Sequence, residues 1–278
     1  ANLNEPIANK ILGDIFYDGK YVTKDISKAI HYYTQAAKLN EPKSLNKLGS
    51  MHMEGKDIPR DINKAIHYLT LAAHQNNLAA QNNLGILCYS PKYKVQNINK
   101  AIHYLNMSAN QNHREAQLNL GMIYYYSGYF IKKDIKKALY LFECSAKNNC
   151  RLAQLYLADF YLEGKYVKQD IKKSVYLYKE ASLLNYRAKN NLAIIFKNGL
   201  GGFEANITLA KEYLREAIKL SKDPILYFNL AIIYLNEYEK EKSNELFDES
   251  ILLLVKSLDF PFSDTLFHLA LIKRKILI

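Results

Sequence analysis

Residues 61–73, DINKAIHYLTLAA, have near copies at 25–37, DISKAIHYYTQAA, and at 97–109, NINKAIHYLNMSA. The first letter of the phrase recurs from Asp25 to Asp61 to Asn97 in steps of 36 residues, then at Asp134 after 37, and at Asp170 and Asn206 after 36 each. A second phrase runs out of phase with it: ANKILG at 8–13, SLNKLG at 44–49, AQNNLG at 80–85, AQLNLG at 116–121, AQLYLA at 153–158, AKNNLA at 188–193 and LYFNLA at 226–231. Each period therefore holds two short segments. In the first phrase Ile26, Ala29, Ile30, Tyr33 and Ala37 fall at i, i+3, i+4, i+7 and beyond, and in the second Ala8, Leu12, Ile15 and Phe16 do the same. That is one face of a helix in each case. Between the two segments, Gly19, Gly55, Gly128, Gly164 and Gly199 supply a left-handed helix stop, and Asp25, Asp61, Asp134 and Asp170 supply the cap of the next helix.

A helix pair of this size cannot bury its own apolar stripe, but a stack of such pairs buries a continuous core. After Asn206 the joint changes: NEYEKEKSNELFDES makes a tighter turn into a helix, and DTLFHLALIKRKILI reads as a last helix covering the open end. The expected fold is all-α, a right-handed α-solenoid of about seven antiparallel helix pairs plus a C-terminal capping helix. The phrases AAQNNLG, YLEGKYVKQDIKKSVYLYKEA and DINKAIHYLTLAA resemble the Sel-one-like repeat (SLR), a longer relative of the tetratricopeptide repeat. The resemblance divides the chain into six such repeats over 1–222 and a tetratricopeptide-like pair with its capping helix over 223–278, continuous with the same solenoid. Such arrays serve as adaptors in quality control, envelope assembly, signalling and host contact, so the resemblance implies binding and does not name a partner.

Composition agrees with an ordered chain: 49% of residues are hydrophobic and 23% charged. The longest aliphatic run, Ile251 to Val255, is far below the ~20 residues that span a bilayer. With no secretory leader pattern, a soluble cytoplasmic chain is expected; its opening on Ala rather than Met is compatible with a fragment. The three cysteines, Cys88, Cys144 and Cys150, follow no period and read as reduced thiols. A net charge of +11 and a pI near 9.2 favour acidic partners.

The repeated word AIHY places His31, His67 and His103 at equal intervals, which invites a metal reading. Each stands two residues after the small residue of the stripe, about 200° around the helix, so it faces outward. Each has a lysine three residues before it, and equivalent helices lie at least ~8–10 Å apart, whereas the ligands of one zinc converge within about 2 Å of it. No metal site is expected. The ladder Lys28, Lys64, Lys100, Lys137 and Lys173 has the spacing of a cation track, but most of these lysines follow a capping Asp and read as ordinary capped helix starts. Lys132, Lys133, Lys136 and Lys172 make the middle of the chain more basic than the repeat requires. NGLGGFEAN at 198–206 lacks the preceding strand and the Lys-Ser/Thr of a phosphate loop and reads as a joint. The sequons at Asn106 and Asn206 fall on helices and read as unmodified. No nucleophile, base and orienting acid recur together, so no enzyme and no cofactor is expected.

The variable positions point elsewhere. If the first helix of each pair lines a concave side, positions two before and two after the recurring Leu face the groove, running from Lys10 and Asp14 to Phe228 and Ile232. Polarity falls along this series, leaving an apolar strip of Ile86, Leu118, Met122, Leu155, Ile194, Phe228 and Ile232. Asn83, Asn119, Asn191 and Asn229, one before each recurring Leu, are placed to hold peptide backbone. The competing structural reading is that neighbouring helices cover these positions. A chaperone-tail carboxylate clamp is disfavoured, because Asp14 stands where that pattern wants Asn and repels a terminal carboxylate. The expected function is a non-catalytic scaffold or adaptor for protein segments, acidic ones and filament or assembly components among them. The alternatives are a charge-driven binder of nucleic acid or anionic membrane, with nucleic acid the less favoured, and the regulatory region of a longer enzyme such as a kinase.

Overall fold

The computed structural model of the protein describes residues 5–126 and 132–258. They form fourteen α-helices: α1 (Glu5–Asp18), α2 (Ile26–Lys38), α3 (Pro42–Glu54), α4 (Ile62–His74), α5 (Leu78–Tyr89), α6 (Ile98–Ala109), α7 (Arg114–Tyr126), α8 (Ile135–Lys147), α9 (Arg151–Glu163), α10 (Ile171–Ala181), α11 (Tyr186–Asn198), α12 (Ile207–Leu220), α13 (Pro224–Glu241) and α14 (Asn244–Lys256). Single 3-10 turns at Pro91–Tyr93, Ser182–Leu184 and Leu200–Gly202 stand in the joints, and no strand occurs among the described residues. The fold is an α-solenoid in its build: seven helix pairs, each packed within itself and, inside each unit, on the next. The proposed capping helix and Gly128 lie outside the described residues.

The helix starts are set by the repeated phrase. Asp25, Asp61, Asn97, Asp134, Asp170 and Asn206 each stand just before a second helix, and their side chains accept from the backbone N–H three residues on at 2.8–3.0 Å. Each satisfies an orphan donor, worth about 1 kcal/mol at an ordinary helix start. Gly55 and Gly199 close α3 and α11 at φ 68° and 62°, a left-handed turn that a Cβ would strain. The opposite joints use a different residue: Asn40, Asn76, Asn112 and Asn149 all have φ between 57° and 62°. Asparagine tolerates this region better than other side chains.

The chain divides into two compact units between Cys150 and Arg151. In the first, α1 to α8, the second helices bury their small stripe: Ala29, Ala65, Ala101 and Ala138 are all 0% exposed. The facing first helices carry Gly13, Gly49, Gly85 and Gly121, and a Cβ on any of them would stand 2.5–2.8 Å from the side chain of Tyr33, Leu69, Leu105 or Phe142. The pairs are therefore closed to hydrogen-atom clearance at that point. Buried hydroxyls tie α6 and α8 to the start of their first helices: Ser108 Oγ donates to the Leu78 carbonyl at 2.9 Å and Ser145 Oγ to the Arg114 carbonyl at 2.8 Å. In the second unit, α9 to α14, one core gathers Ala193, Ala210, Leu214, Leu226, Leu230 and Ile233, and Leu254 of α14 packs with Ala231. The loop NGLGGFEAN is a joint as expected, with Gly201 set so close to Ile171 that a Cβ would meet its side chain at 2.5 Å. Cys88 and Cys150 are buried, Cys144 is half-buried, and all three are free thiols.

Candidate partner-binding face

The face between successive first helices is laced by side-chain amides. In the first unit Asn83 Nδ2 donates to Asn46 Oδ1 and to Ser50 Oγ, both at 3.0 Å, tying α5 to α3, and Asn119 Nδ2 donates to Asn82 Oδ1 at 2.8 Å, tying α7 to α5. In the second unit Asn191 Nδ2 donates to Tyr178 Oη at 2.9 Å and to Asp159 Oδ1 at 3.2 Å, and Asn229 Nδ2 donates to Asn190 Oδ1 at 2.7 Å. The asparagine before each recurring Leu thus reaches back one repeat, to the very positions two before or two after that Leu. All four Nδ2 groups donate inside the fold, a packing role that the sequence pattern alone does not distinguish from holding a peptide.

The apolar positions separate into two groups. Leu118 at 6% and Leu155 at 1% exposure are core residues, covered by neighbouring helices. Ile86 and Met122 in the first unit, and Ile194, Phe228 and Ile232 in the second, remain half-buried. Phe228 packs against the small cluster of Ala231 and Leu254. The strip is therefore narrower than the alternation of residue types suggests, because α7 and α9 turn the position two before the Leu toward neighbouring helices, whereas Phe228 at that position of α13 stays half-buried.

Two polar nodes occupy equivalent places. Tyr33 Oη donates to Asp14 Oδ1 at 2.8 Å, and Tyr178 Oη donates to Asp159 Oδ1 at 2.6 Å. Burial, reinforced by the neighbouring carboxylate, pushes both phenols well above their ordinary range. Burial also raises Asp159, against the opposing pull of the Tyr178 hydroxyl and of Arg187, whose guanidinium lies 3.8 Å from Asp159 Oδ2. Beside this node, wholly within the second unit, a cleft of about 260 Å³ is lined by Tyr186, Arg187, Asn190, Asn191, Asp223, Ile225 and Leu226. It joins a half-exposed cation, carboxamides, an apolar wall and the carboxylate of Asp223, which is engaged as the cap of α13 by accepting from the Ile225 N–H at 3.1 Å; the Arg187 side of the cleft suits a polar or acidic side chain. Sequence reading missed it, because its two walls come from different repeats and Tyr186, Arg187, Asp223 and Ile225 stand just outside the recurring words.

His31, His67 and His103 are exposed, each standing against the following tyrosine at 5.3–5.5 Å between ring centroids. Lys28 and Lys64 lie 3.6 and 3.7 Å from the Asp that caps their helix, the local pairing expected of them.

The Sel1 repeat profile matches six consecutive stretches, residues 6–41, 42–77, 78–113, 114–150, 151–186 and 187–222. The chain belongs to the Sel1 repeat family. Sel1 repeat proteins are generally protein-interaction scaffolds, and their fold is typically non-catalytic. Comparison with curated proteins gives no match. Among solved structures, the Sel1 chain is similar to a protective antigen of uropathogenic Escherichia coli displaying an SLR fold, with 23% identity and a TM-score of 0.74, covering 91% of this chain and 53% of the antigen. It is similar also to a Sel1 repeat protein from Oxalobacter formigenes, with 27% identity and a TM-score of 0.73, covering 79% of this chain and 89% of that one. An immunity protein of Pseudomonas aeruginosa shares the fold at 18% identity and a TM-score of 0.54, covering 77% and 83% of the two chains. The chain thus spans about half the length of the first of these relatives. No helix of the described residues is long and apolar enough to cross a membrane.

Proposed function

We propose that this Sel1 array is a non-catalytic adaptor that holds a protein segment along its first-helix face and seats an acidic side chain of that segment in the cleft beside Arg187. The observation that carries this reading is the cleft itself, where a half-exposed guanidinium and the carboxamides of Asn190 and Asn191 adjoin the apolar side chains of Ile225 and Leu226. Ile194, Phe228 and Ile232 in this unit, and Ile86 and Met122 in the other, offer apolar contacts; Leu118 and Leu155 support that face from beneath. With their Nδ2 atoms engaged in the ladder, Asn83, Asn119, Asn191 and Asn229 offer a peptide N–H their Oδ1 atoms. The chain's positive charge favours acidic partners, assembly components among them, by long-range attraction. Residues 223–278 act in this reading as a tetratricopeptide-like end of the same array.

A photoreactive amino acid placed at position 194 tests this. It is expected to crosslink one protein partner, and Arg187→Glu or Ile232→Glu, both in the same unit, is expected to weaken that capture at least ~10-fold with thermal unfolding unchanged. Retention of the same crosslink at full yield in both variants would refute the proposal.

A further inference from the structure

One position of the repeat changes character in the second unit. Fourteen residues after the caps of α2, α4, α6, α8, α10 and α12, at the joint into the next first helix, stand Leu39, Gln75, Gln111, Asn148, Leu184 and Leu220. The three amides among them bond back to the fold: Gln75 Nε2 donates to the Leu71 carbonyl at 3.4 Å, Gln111 Nε2 to that of Met107 at 3.0 Å and Asn148 Nδ2 to that of Asn112 at 3.3 Å. The second unit has leucine at both places, 70% exposed at Leu184 and 43% at Leu220, and Leu183 beside the first is 64% exposed. These side chains bury little within the unit, so its own packing does not account for them. They form an apolar edge open to a partner.

The two joints are neighbours. Tyr186 and Arg187 stand at the start of α11 just after Leu184, Asp223 and Ile225 stand at the start of α13 just after Leu220, and these four residues line the one cleft. The cleft is thus flanked by one leucine joint on the α11 side and one on the α13 side. Residues 180–187 and 219–223 carry exposed Arg187, Lys219 and Lys222 against exposed Glu180 and the engaged carboxylate of Asp223, which accepts from the Ile225 N–H at 3.1 Å. The charge left over for a partner is positive.

We infer that this edge of the second unit, formed by the α10–α11 and α12–α13 joints, seats an acidic amphipathic helix of the partner, with apolar residues seven apart on Leu184 and Leu220 and a carboxylate between them on Arg187. The inference rests on the cleft as the seat of an acidic side chain and adds the form of the segment that carries it. Packed helices lie roughly 8–10 Å apart, and seven residues of a guest helix advance about 10.5 Å and return to the same face. An extended guest fails this spacing, because residues three apart cover about 10 Å but point to opposite sides. In the helix, a residue three or four after the first apolar one lies on the same face midway between the two, over the cleft. A bilayer fits less well: the surplus of cations is small, and a plane of headgroups does not fill a concave cleft.

The probe is a labelled helical peptide of about 20 residues with Leu at every seventh position and Glu three residues after each. It is expected to bind the full chain with a Kd below ~100 µM by fluorescence anisotropy, and at least ~10-fold more tightly than peptides of matched length with Leu at every fifth position or with Gln for Glu. Leu184→Ser with Leu220→Ser is expected to weaken binding at least ~10-fold, and so is Arg187→Gln, whereas Leu39→Ser, at the same repeat position in the other unit, is expected to leave it within about twofold. The three leucines are exposed, so thermal unfolding is expected to stay unchanged in these variants. Equal affinity for the three peptides, or binding weaker than ~1 mM, overturns the inference. Loss with Arg187→Gln but not with the leucine pair overturns it and leaves the cleft reading standing; indifference to Arg187→Gln overturns both. Binding of phosphatidylserine vesicles that is lost in the leucine pair, with the peptide indifferent to that pair, overturns it in favour of a bilayer.

Discussion

At position 113 one repeat has lost a cap that its neighbour keeps. Asn77 accepts from the Ala80 N–H at 2.9 Å and opens α5, whereas the equivalent His113 turns its Nε2 to Glu115 at 3.3 Å and leaves Nδ1 buried with no partner among the described residues. His113→Asn is expected to restore the cap and raise stability by about 1 kcal/mol, read as a higher unfolding midpoint in urea. It should also flatten the acid limb. Burial, with Arg114 adding to it, holds the imidazole below its ordinary value, against the pull of Glu115. The native state then binds fewer protons than the unfolded chain, so stability is complete above about pH 6.5 and falls as pH drops below it. Asp159 has the opposite sign. Burial raises its carboxyl, so the native state holds the proton at higher pH than the unfolded chain, and this group's contribution is fullest in acid and is lost as pH rises through its native value. Asp159→Asn keeps an oxygen for Tyr178 and Asn191, and is expected to raise Tm at pH 7 while matching the parent near pH 3.5. A variant less stable than the parent at pH 7 would contradict this account of the node.

At the scale of the element, the close point of each pair is a glycine facing a large side chain. A Cβ on Gly85 would stand 2.5 Å from Leu105 Cγ, and Leu105 is 1% exposed, so it has nowhere to move. Gly85→Val is expected to destabilise by about 1–3 kcal/mol despite the better helix propensity of valine. Gly85→Val with Leu105→Ala should cost less than the sum of the two single changes, since each variant relieves the other. Strictly additive urea midpoints would mean that the two residues do not meet. The caps Asp25, Asp61, Asp134 and Asp170 were legible because an Asp recurs before each apolar stripe, and Asn97 and Asn206 fill the same place; the glycine contacts were not read, although Gly49, Gly85 and Gly121 recur in phase with Leu69, Leu105 and Phe142, because a glycine inside a helix does not name the side chain it faces. The left-handed Asn40, Asn76, Asn112 and Asn149 recur as regularly, but asparagine is common in polar joints and does not announce its φ as glycine does. The amide ladder was hidden for another reason. An asparagine beside a recurring Leu looks the same whether its Nδ2 meets a peptide or the helix one repeat back, and only the packing distance between first helices decides.

For the molecule as a whole, stability in a repeat array is the sum of repeat and neighbour terms, so a helix with one neighbour fewer is weaker than its copies. The apolar stripe of α1 shows this: Ala8 is exposed, Leu12 is 37% exposed, Ile15 and Phe16 are half-buried, and Gly13 is the helix's one buried residue. The copy in α5 buries Ala80, Leu84, Gly85, Leu87 and Cys88. The same letters in the sequence thus describe a core helix in one place and an end helix in another, and periodicity could not rank them because it carries no information about the next helix. At the other end of the described chain α14 buries Ser250 and Leu254 alone. Amide hydrogen exchange is expected to follow this gradient, with α1 and α14 exchanging at least ~10-fold faster than α5, α7 and α9 at neutral pH. Propensity gives the opposite order, since NELFDESILLLVK in α14 is as good a helix former as LAAQNNLGILCY in α5, which carries a glycine in mid-helix. Uniform protection across all fourteen helices would mean that the chain opens as one cooperative block, and exchange fastest in α5 would mean that local propensity outweighs burial.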